Sequence, residues 1–146
     1  MNKIFGIGLG KTGTTTLGEC LKILGYKHKS YSPKLLEEIF YKKNYTDTYK
    51  TVDEFDSFED YPWPLIYKDL DNKYPGSKFI LTVRKDEYTW LRSIKKHILK
   101  SALHLRHTRQ NIFGHKYPFG HEQDFIDFYK NHNEEVQNYF QHRPQD

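Results

Sequence analysis

At 146 residues the chain suits one domain that can bury a core on folding. A net charge of +4 and a pI near 9.0 favour an anionic ligand, but Lys and Arg are interspersed with Asp and Glu, so the charge argues against a nucleic-acid-binding surface. Aromatic residues at 16% against 36% hydrophobic in all, with mean hydropathy −0.88, place much of the core in Phe, Tyr and Trp, and Lys3, the glycines and Lys11 interrupt the opening apolar run, so neither a signal peptide nor a membrane span is expected.

The chain opens on a short apolar strand, Lys3 to Gly8, then a glycine-rich turn and a helix from about Thr14 to Leu24 that Gly25 stops. The single Cys20 excludes an internal disulfide and is expected as inert core in that helix, in a reducing, cytoplasmic compartment where the sequon Asn44-Tyr45-Thr46 stays unmodified. Tyr26 to Tyr31 reads as a second strand. Ser32-Pro33 opens a helix through Leu35, Leu36, Ile39 and Phe40, the polar Asn44 to Lys50 stretch ends it, and Asp53 to Tyr61 reads as a loop. Pro62 and Pro64 suit a helix start before Leu65, Ile66, Leu70 and Tyr74, and Tyr74-Pro75-Gly76-Ser77 is a turn. Lys78 to Val83 has the unbroken apolar centre of a strand covered on both faces. A helix then carries Trp90, Leu91, Ile94, Ile98, Ala102 and Leu103, the His104 to His121 stretch reads as a loop, and an amphipathic helix spans about Gln123 to Phe140. This alternation is the grammar of an α/β fold with a parallel sheet, whose ligands bind at the carboxyl ends of the strands: here Gly8 to Thr15, and Arg84 onward.

Three phosphate-binding patterns overlap in IFGIGLGKTGTTTLGECL, residues 4–21. The nucleotide P-loop needs one more residue between Gly6 and Gly10-Lys11-Thr12, and the strand at 78–83 ends in Arg84-Lys85 rather than in a carboxylate for magnesium. Gly8, Gly10 and Gly13 match the dinucleotide fingerprint, but Glu37 and Glu38, the acidic candidates for the ribose, fall in a helix. The third pattern is Lys11-Thr12-Gly13-Thr14-Thr15 between strand and helix.

This third loop resembles the 5′-phosphosulfate loop of sulfotransferases that use 3′-phosphoadenosine 5′-phosphosulfate (PAPS). KFILTVRKDEYTWLRSI, residues 78–94, is similar to the family's second motif, in which a strand-ending arginine and a helix serine hold the 3′-phosphate. Asp60-Tyr61-Pro62-Trp63 with YPGSKFILTVR is especially like a small subgroup of viruses and unicellular eukaryotes, and the likeness runs from Ile4 to about Pro144. It implies a P-loop NTPase-like three-layer core without magnesium chemistry in a single domain over 1–146; relatives continue after a segment like HRPQD into another apolar strand, so the chain is expected to be a minimal form, a truncated one, or one whose missing edge a partner supplies. An exposed sheet edge there would favour self-association.

By that likeness Gly10 to Thr15 surround the 5′-phosphate with backbone N–H groups and the Thr14 and Thr15 hydroxyls, and Gly13 leaves room for the ligand. Lys11 places its charge on the leaving oxygen. Arg84 and Ser93 bind the 3′-phosphate, although Ser93 stands one position later than its counterpart in many relatives. The acceptor, a small molecule or glycan offering a hydroxyl or amine, loses its proton to a base; Asp60 is the first candidate, followed by Glu59, Asp56 and His28. A magnesium-dependent kinase and a non-catalytic nucleotide-binding module are the alternatives. His104, His107, His115 and His121 lack a cysteine pair or HExxH pattern and read as loop residues, so no metal is expected. Trp63 and Trp90 are either core or adenine-stacking residues, and Lys95, Lys96, Lys100, Arg106 and Arg109 a solvated face or acceptor contacts.

Overall fold

The computed structural model describes residues 2–100 and 106–143. Four parallel strands, β1 (Ile4–Gly6), β2 (His28–Lys29), β3 (Ser57–Phe58) and β4 (Lys78–Ile80), form a sheet in the order β2-β3-β1-β4. Helices α1 (Thr14–Ile23), α2 (Pro33–Glu37), α3 (Thr46–Glu54), α4 (Tyr67–Lys73), α5 (Glu87–Lys100), α6 (Arg106–Phe113) and α7 (Glu122–Phe140) flank it, with a π-helical turn over Glu38–Lys42 and a 3-10 turn over Trp63–Leu65. The architecture is the expected α/β one.

Register explains why the strands can be so short. Phe5 pairs with Phe58 on one side and with Phe79 on the other, and its ring stacks on both at 4.9 and 5.4 Å between centroids. Ile7, Val52, Trp63, Leu70 and Val136 close over this three-ring ladder. Truncating Phe5 to Ala would cost about 3–5 kcal/mol. A second cluster joins Leu9, Tyr61, Trp90, Ile94, Phe113, Phe125 and Tyr129, tying α5, α6 and α7 to the carboxyl end of β1.

Several expectations change. The Asp53 to Tyr61 loop contains β3, because Ser57 and Phe58 are wholly buried between β2 and β1. The polar stretch from Asn44 starts a helix: Asn44 Oδ1 accepts the Thr46 N–H at 2.9 Å, and Thr48 and Val52, one turn apart, face the core. Part of the His104 to His121 segment is α6, held by buried Ile112 and Phe113. β4 is an edge strand pairing with β1 alone among the described residues, and Val83 beyond it is exposed, so its apolar run is covered less fully than expected. Cys20 is exposed on α1 rather than part of the core, since Leu21 and Gly18 occupy the buried side. Trp63 and Trp90 are both fully buried and belong to the core. Ala102, Leu103 and His104 lie outside the described residues.

Candidate functional site

A cleft of about 480 Å³ opens where β1 and β4 end, lined by the Gly10 to Thr15 loop, Asp60, Tyr61 and Arg84 on one side and by residues of α5 and α6 on the other. The backbone of the loop is unusual. Lys11 and Gly13 have positive φ, +73° and +104°, which turns the chain sharply between β1 and α1. Gly13 is exposed and no protein atom lies where its Cβ would be, so its conformation rather than crowding by the protein calls for glycine. At Gly8 the reason is space: a Cβ would stand 2.1 Å from Thr82 Oγ1 and 2.3 Å from the Thr82 carbonyl oxygen.

α1 begins without a side-chain cap or an acidic residue in its first turn. Among the described residues, the N–H groups of Lys11, Gly13, Thr14 and Thr15 find no acceptor. Unpaired N–H groups and the positive end of a helix dipole on a cleft wall make a fitting seat for a phosphate or sulfate group.

The two sequence motifs meet in this loop. Arg84 Nε donates to the Lys11 carbonyl oxygen at 2.6 Å, and Trp90 Nε1, on α5, donates to the Gly10 carbonyl oxygen at 3.0 Å. Behind them, the Tyr129 hydroxyl accepts the Arg84 N–H at 2.9 Å and His132 Nε2 donates to the Ile7 carbonyl oxygen at 2.8 Å, so α7 fixes both strand exits. Sequence reasoning did not find these supports, because each acts on a main-chain atom far away in the chain.

Thr12 departs from its expected role. Its hydroxyl turns inward, donating to the Leu9 carbonyl oxygen and meeting Thr82 Oγ1, both at 2.7 Å, and its N–H also goes to Leu9. Thr12 therefore braces the loop and does not line the cleft. Ser93 is half-buried one helical turn from Trp90 and is also not among the cleft-lining residues, whereas Lys11, Thr14, Thr15 and Arg84 are.

Asp60 is in the cleft, just beyond β3, with φ +65° and its Oδ1 accepting the Tyr61 N–H at 2.8 Å. Burial pushes its carboxyl up to about 6, with the Glu59 charge adding to the rise and Lys11 opposing it. The other base candidates are elsewhere. Glu59 and His28 are buried against each other, with His28 Nε2 3.6 Å from Glu59 Oε1, His28 Nδ1 2.9 Å from Ser57 Oγ, and the Ser30 hydroxyl donating to Glu59. Asp56 accepts the Lys27 N–H at 3.1 Å at the opposite end of β3. The same strand revises the objection to a magnesium site, because β3, beside β1, supplies the carboxylate that the strand at 78–83 does not.

His97 was not foreseen. It projects from α5 into the cleft, half-buried, with no hydrogen bond to a described residue. Burial, and then the charges of Lys11 and Arg109, lower its pKa, which favours the neutral imidazole. A helix face that also supplies Ile94 and Ile98 to the core gave no sign of it. His115, His121 and Asp124 converge on the surface, with ligand atoms within 4.8 Å, but the imidazoles stack at 3.6 Å with planes 12° apart, so their in-plane lone pairs do not point at a common centre.

A parallel α/β sheet with a glycine loop of unpaired N–H groups, and with Lys11 and Arg84 in the same cleft, presents a surface chemically suited to a phosphate or sulfate group. The family model of the sulfotransferase domain matches residues 3–145, nearly the whole chain, and the protein belongs to that family. It is accordingly a transferase by family, one of a group that moves sulfuryl groups. No curated protein matches the chain. Among the described residues, no helix is long and apolar enough to cross a membrane.

Proposed function

We propose that the protein transfers a sulfuryl group from PAPS to the hydroxyl or amine of a small acceptor. The observation that carries this reading is the meeting of Lys11, Arg84 and the uncapped start of α1 in one cleft of a sulfotransferase-family chain. When bound, the nucleotide supplies the sulfuryl group and leaves as 3′,5′-adenosine bisphosphate. The free N–H groups of the loop and the hydroxyls of Thr14 and Thr15 hold the 5′-phosphate. Lys11 neutralises the oxygen on which negative charge develops, and Arg84, with Ser93 a turn along α5 from Trp90, takes the 3′-phosphate. The acceptor oxygen or nitrogen bonds to sulfur as the sulfur–oxygen bond to the nucleotide breaks, and Asp60 receives the acceptor's proton.

A second reading is magnesium-dependent phosphoryl transfer, favoured by Asp60 at the end of β3 in the same cleft as Lys11. Against it stands Thr12, whose hydroxyl, the expected metal ligand after the loop lysine, is committed to Leu9 and Thr82. Thermal shift with 3′,5′-adenosine bisphosphate, ATP and NAD, each with and without magnesium, separates the readings. Stabilisation by the bisphosphate that is indifferent to magnesium and lost in Arg84→Ala supports sulfuryl transfer. Magnesium-dependent stabilisation by ATP supports the kinase, and binding without turnover of any acceptor supports a non-catalytic module.

A further inference from the structure

α7 carries two stripes at helical spacing. Phe125, Tyr129, Val136 and Phe140 pack into the two core clusters. Beside them Phe128, Asn131, His132 and Glu135, at positions i, i+3, i+4 and i+7, form a second face that is mostly polar. This face lines a groove of about 460 Å³ whose other wall is the segment 64–69, where Pro64 and Leu65 supply apolar surface. The groove shares no lining residue with the phosphate cleft.

His132 sets what the groove can recognise. Its Nε2–H is committed to the Ile7 carbonyl oxygen at 2.8 Å, so in the neutral ring Nδ1 is an acceptor. Burial lowers the His132 pKa more than that bond restores it, which keeps the ring neutral. Nδ1 has no hydrogen-bond partner among the described residues and is not sealed from solvent, so it is open to a donor in the groove. The carboxylates of Asp69 and Glu135 line the same groove against one ammonium, that of Lys68. Lys68 and Glu135 make a loose pair, 3.7 Å apart with both side chains more than half exposed, so replacing this ammonium by another cation costs little.

Glu135 follows His132 by three residues on the helix, which puts their Cβ atoms about 5–6 Å apart. An ammonium is a compact point charge, whereas a planar guanidinium carries five N–H donors in a fork that can serve both acceptors at once. Phe128, one turn before His132, offers an aromatic surface for its plane. We infer that this groove binds a guanidinium group, carried by an arginine side chain or a small guanidino compound, with N–H donors on His132 Nδ1 and the Glu135 carboxylate. The site is independent of the sulfuryl-transfer reading of the cleft.

The probe is N-acetylarginine amide, titrated into the full chain labelled with ¹⁵N-histidine while the Nδ1 resonance of His132 is followed. The expected result is a saturable shift with a dissociation constant on the order of 1 mM, as befits a small ligand. N-acetyllysine amide, with the same charge and no fork, should bind about fivefold more weakly. Glu135→Gln, an exposed change, should weaken the arginine probe about tenfold. Lys68→Met should tighten it about threefold, because the competing ammonium is gone. A Gly-Gly-Arg-Gly-Gly peptide that binds more tightly than the amide assigns the groove to a peptide segment, and equal affinity assigns it to a small guanidino compound; both keep the guanidinium site. No saturable shift of His132, equal binding by the lysine probe, or unchanged affinity in Glu135→Gln overturns it. Displacement of the arginine probe by 3′,5′-adenosine bisphosphate would overturn its separation from the phosphate cleft.

Discussion

Arg84 donates its Nε–H to the carbonyl oxygen of Lys11 at 2.6 Å, so residues 73 positions apart form one edge of the cleft. The bond uses one donor of the guanidinium and leaves the forked terminal nitrogens to point to an anion. It also means that the backbone carrying Lys11 is held by the side chain proposed to take the 3′-phosphate.

Arg84→Ala should therefore weaken 3′,5′-adenosine bisphosphate binding by about 10- to 100-fold, from the loss of charge-assisted bonds worth about 1.5–3 kcal/mol. The melting temperature of the free protein should change little, because Arg84 is exposed. Lys11→Met should instead fall mainly on kcat, by about 100- to 1000-fold, if its charge acts as proposed on the oxygen that becomes negative during transfer. Calorimetric titration and single-turnover rates check the two; equal effects on binding and rate from both variants would contradict the division of labour.

Asp60 predicts opposite trends for rate and stability with pH. With its carboxyl raised to about 6, the rate should climb with pH through that value and level off, and Asp60→Asn should remove this limb. For stability, the folded state holds the proton more tightly than the unfolded state, whose carboxyl titrates near 3.8. The unfolded state thus binds fewer protons between about 4 and 6, and the Asp60 contribution falls as pH rises through that window. Asp60→Asn should be more stable than wild type at pH 7 by on the order of 2 kcal/mol, with the gain fading below about pH 4. Asn also tolerates the positive φ. Urea denaturation at several pH values measures it.

Part of this was legible in the sequence. The glycine loop, Lys11 and Arg84 were readable because they combine short motifs with strand-to-helix punctuation, and a parallel α/β order followed from the alternation of apolar strands and amphipathic helices. β3 was hidden because two residues, Ser57 and Phe58, carry no periodicity, and their strand identity comes from neighbours on both sides. α6 was hidden by its polar, histidine-bearing surroundings, and its buried residues are evident only against α7. Cys20 was misplaced by one step around α1, where Gly18 must face His28 and Glu59 so closely that a Cβ would stand 2.7 Å from His28 Nε2. His97, Tyr129 and His132 act through space or on main-chain carbonyls and amides, which no local pattern records.

Trp90 tests whether the loop is pre-organised by the core. Its indole N–H is the donor to the Gly10 carbonyl oxygen, and the ring stacks on Tyr129 at 4.5 Å. Trp90→Phe keeps an aromatic ring but strands a buried acceptor, which should cost about 1–3 kcal/mol of stability. Bisphosphate affinity should fall as well, because Gly10 opens the turn that presents the free N–H groups. Loss of stability with full retention of affinity would show that the turn holds its shape without the tryptophan.

Glu59 offers a way to move the Asp60 limb without touching the cleft. It is buried, shares its carboxylate with Ser30 and His28, and stands next to Asp60, where its negative charge helps to keep the Asp60 proton on. Glu59→Gln preserves size and hydrogen-bonding capacity while removing that charge. The Asp60 carboxyl should then ionise at lower pH, and the acid limb of kcat/KM should shift downward with it. His28 reports on the same pair, because burial lowers its pKa while the Glu59 carboxylate holds it up, so Glu59→Gln should depress the histidine further. An acid limb that stays in place while the His28 resonance in an NMR titration moves would mean that Asp60 is not the group whose ionisation limits the rate, and would shift attention to His97 across the cleft.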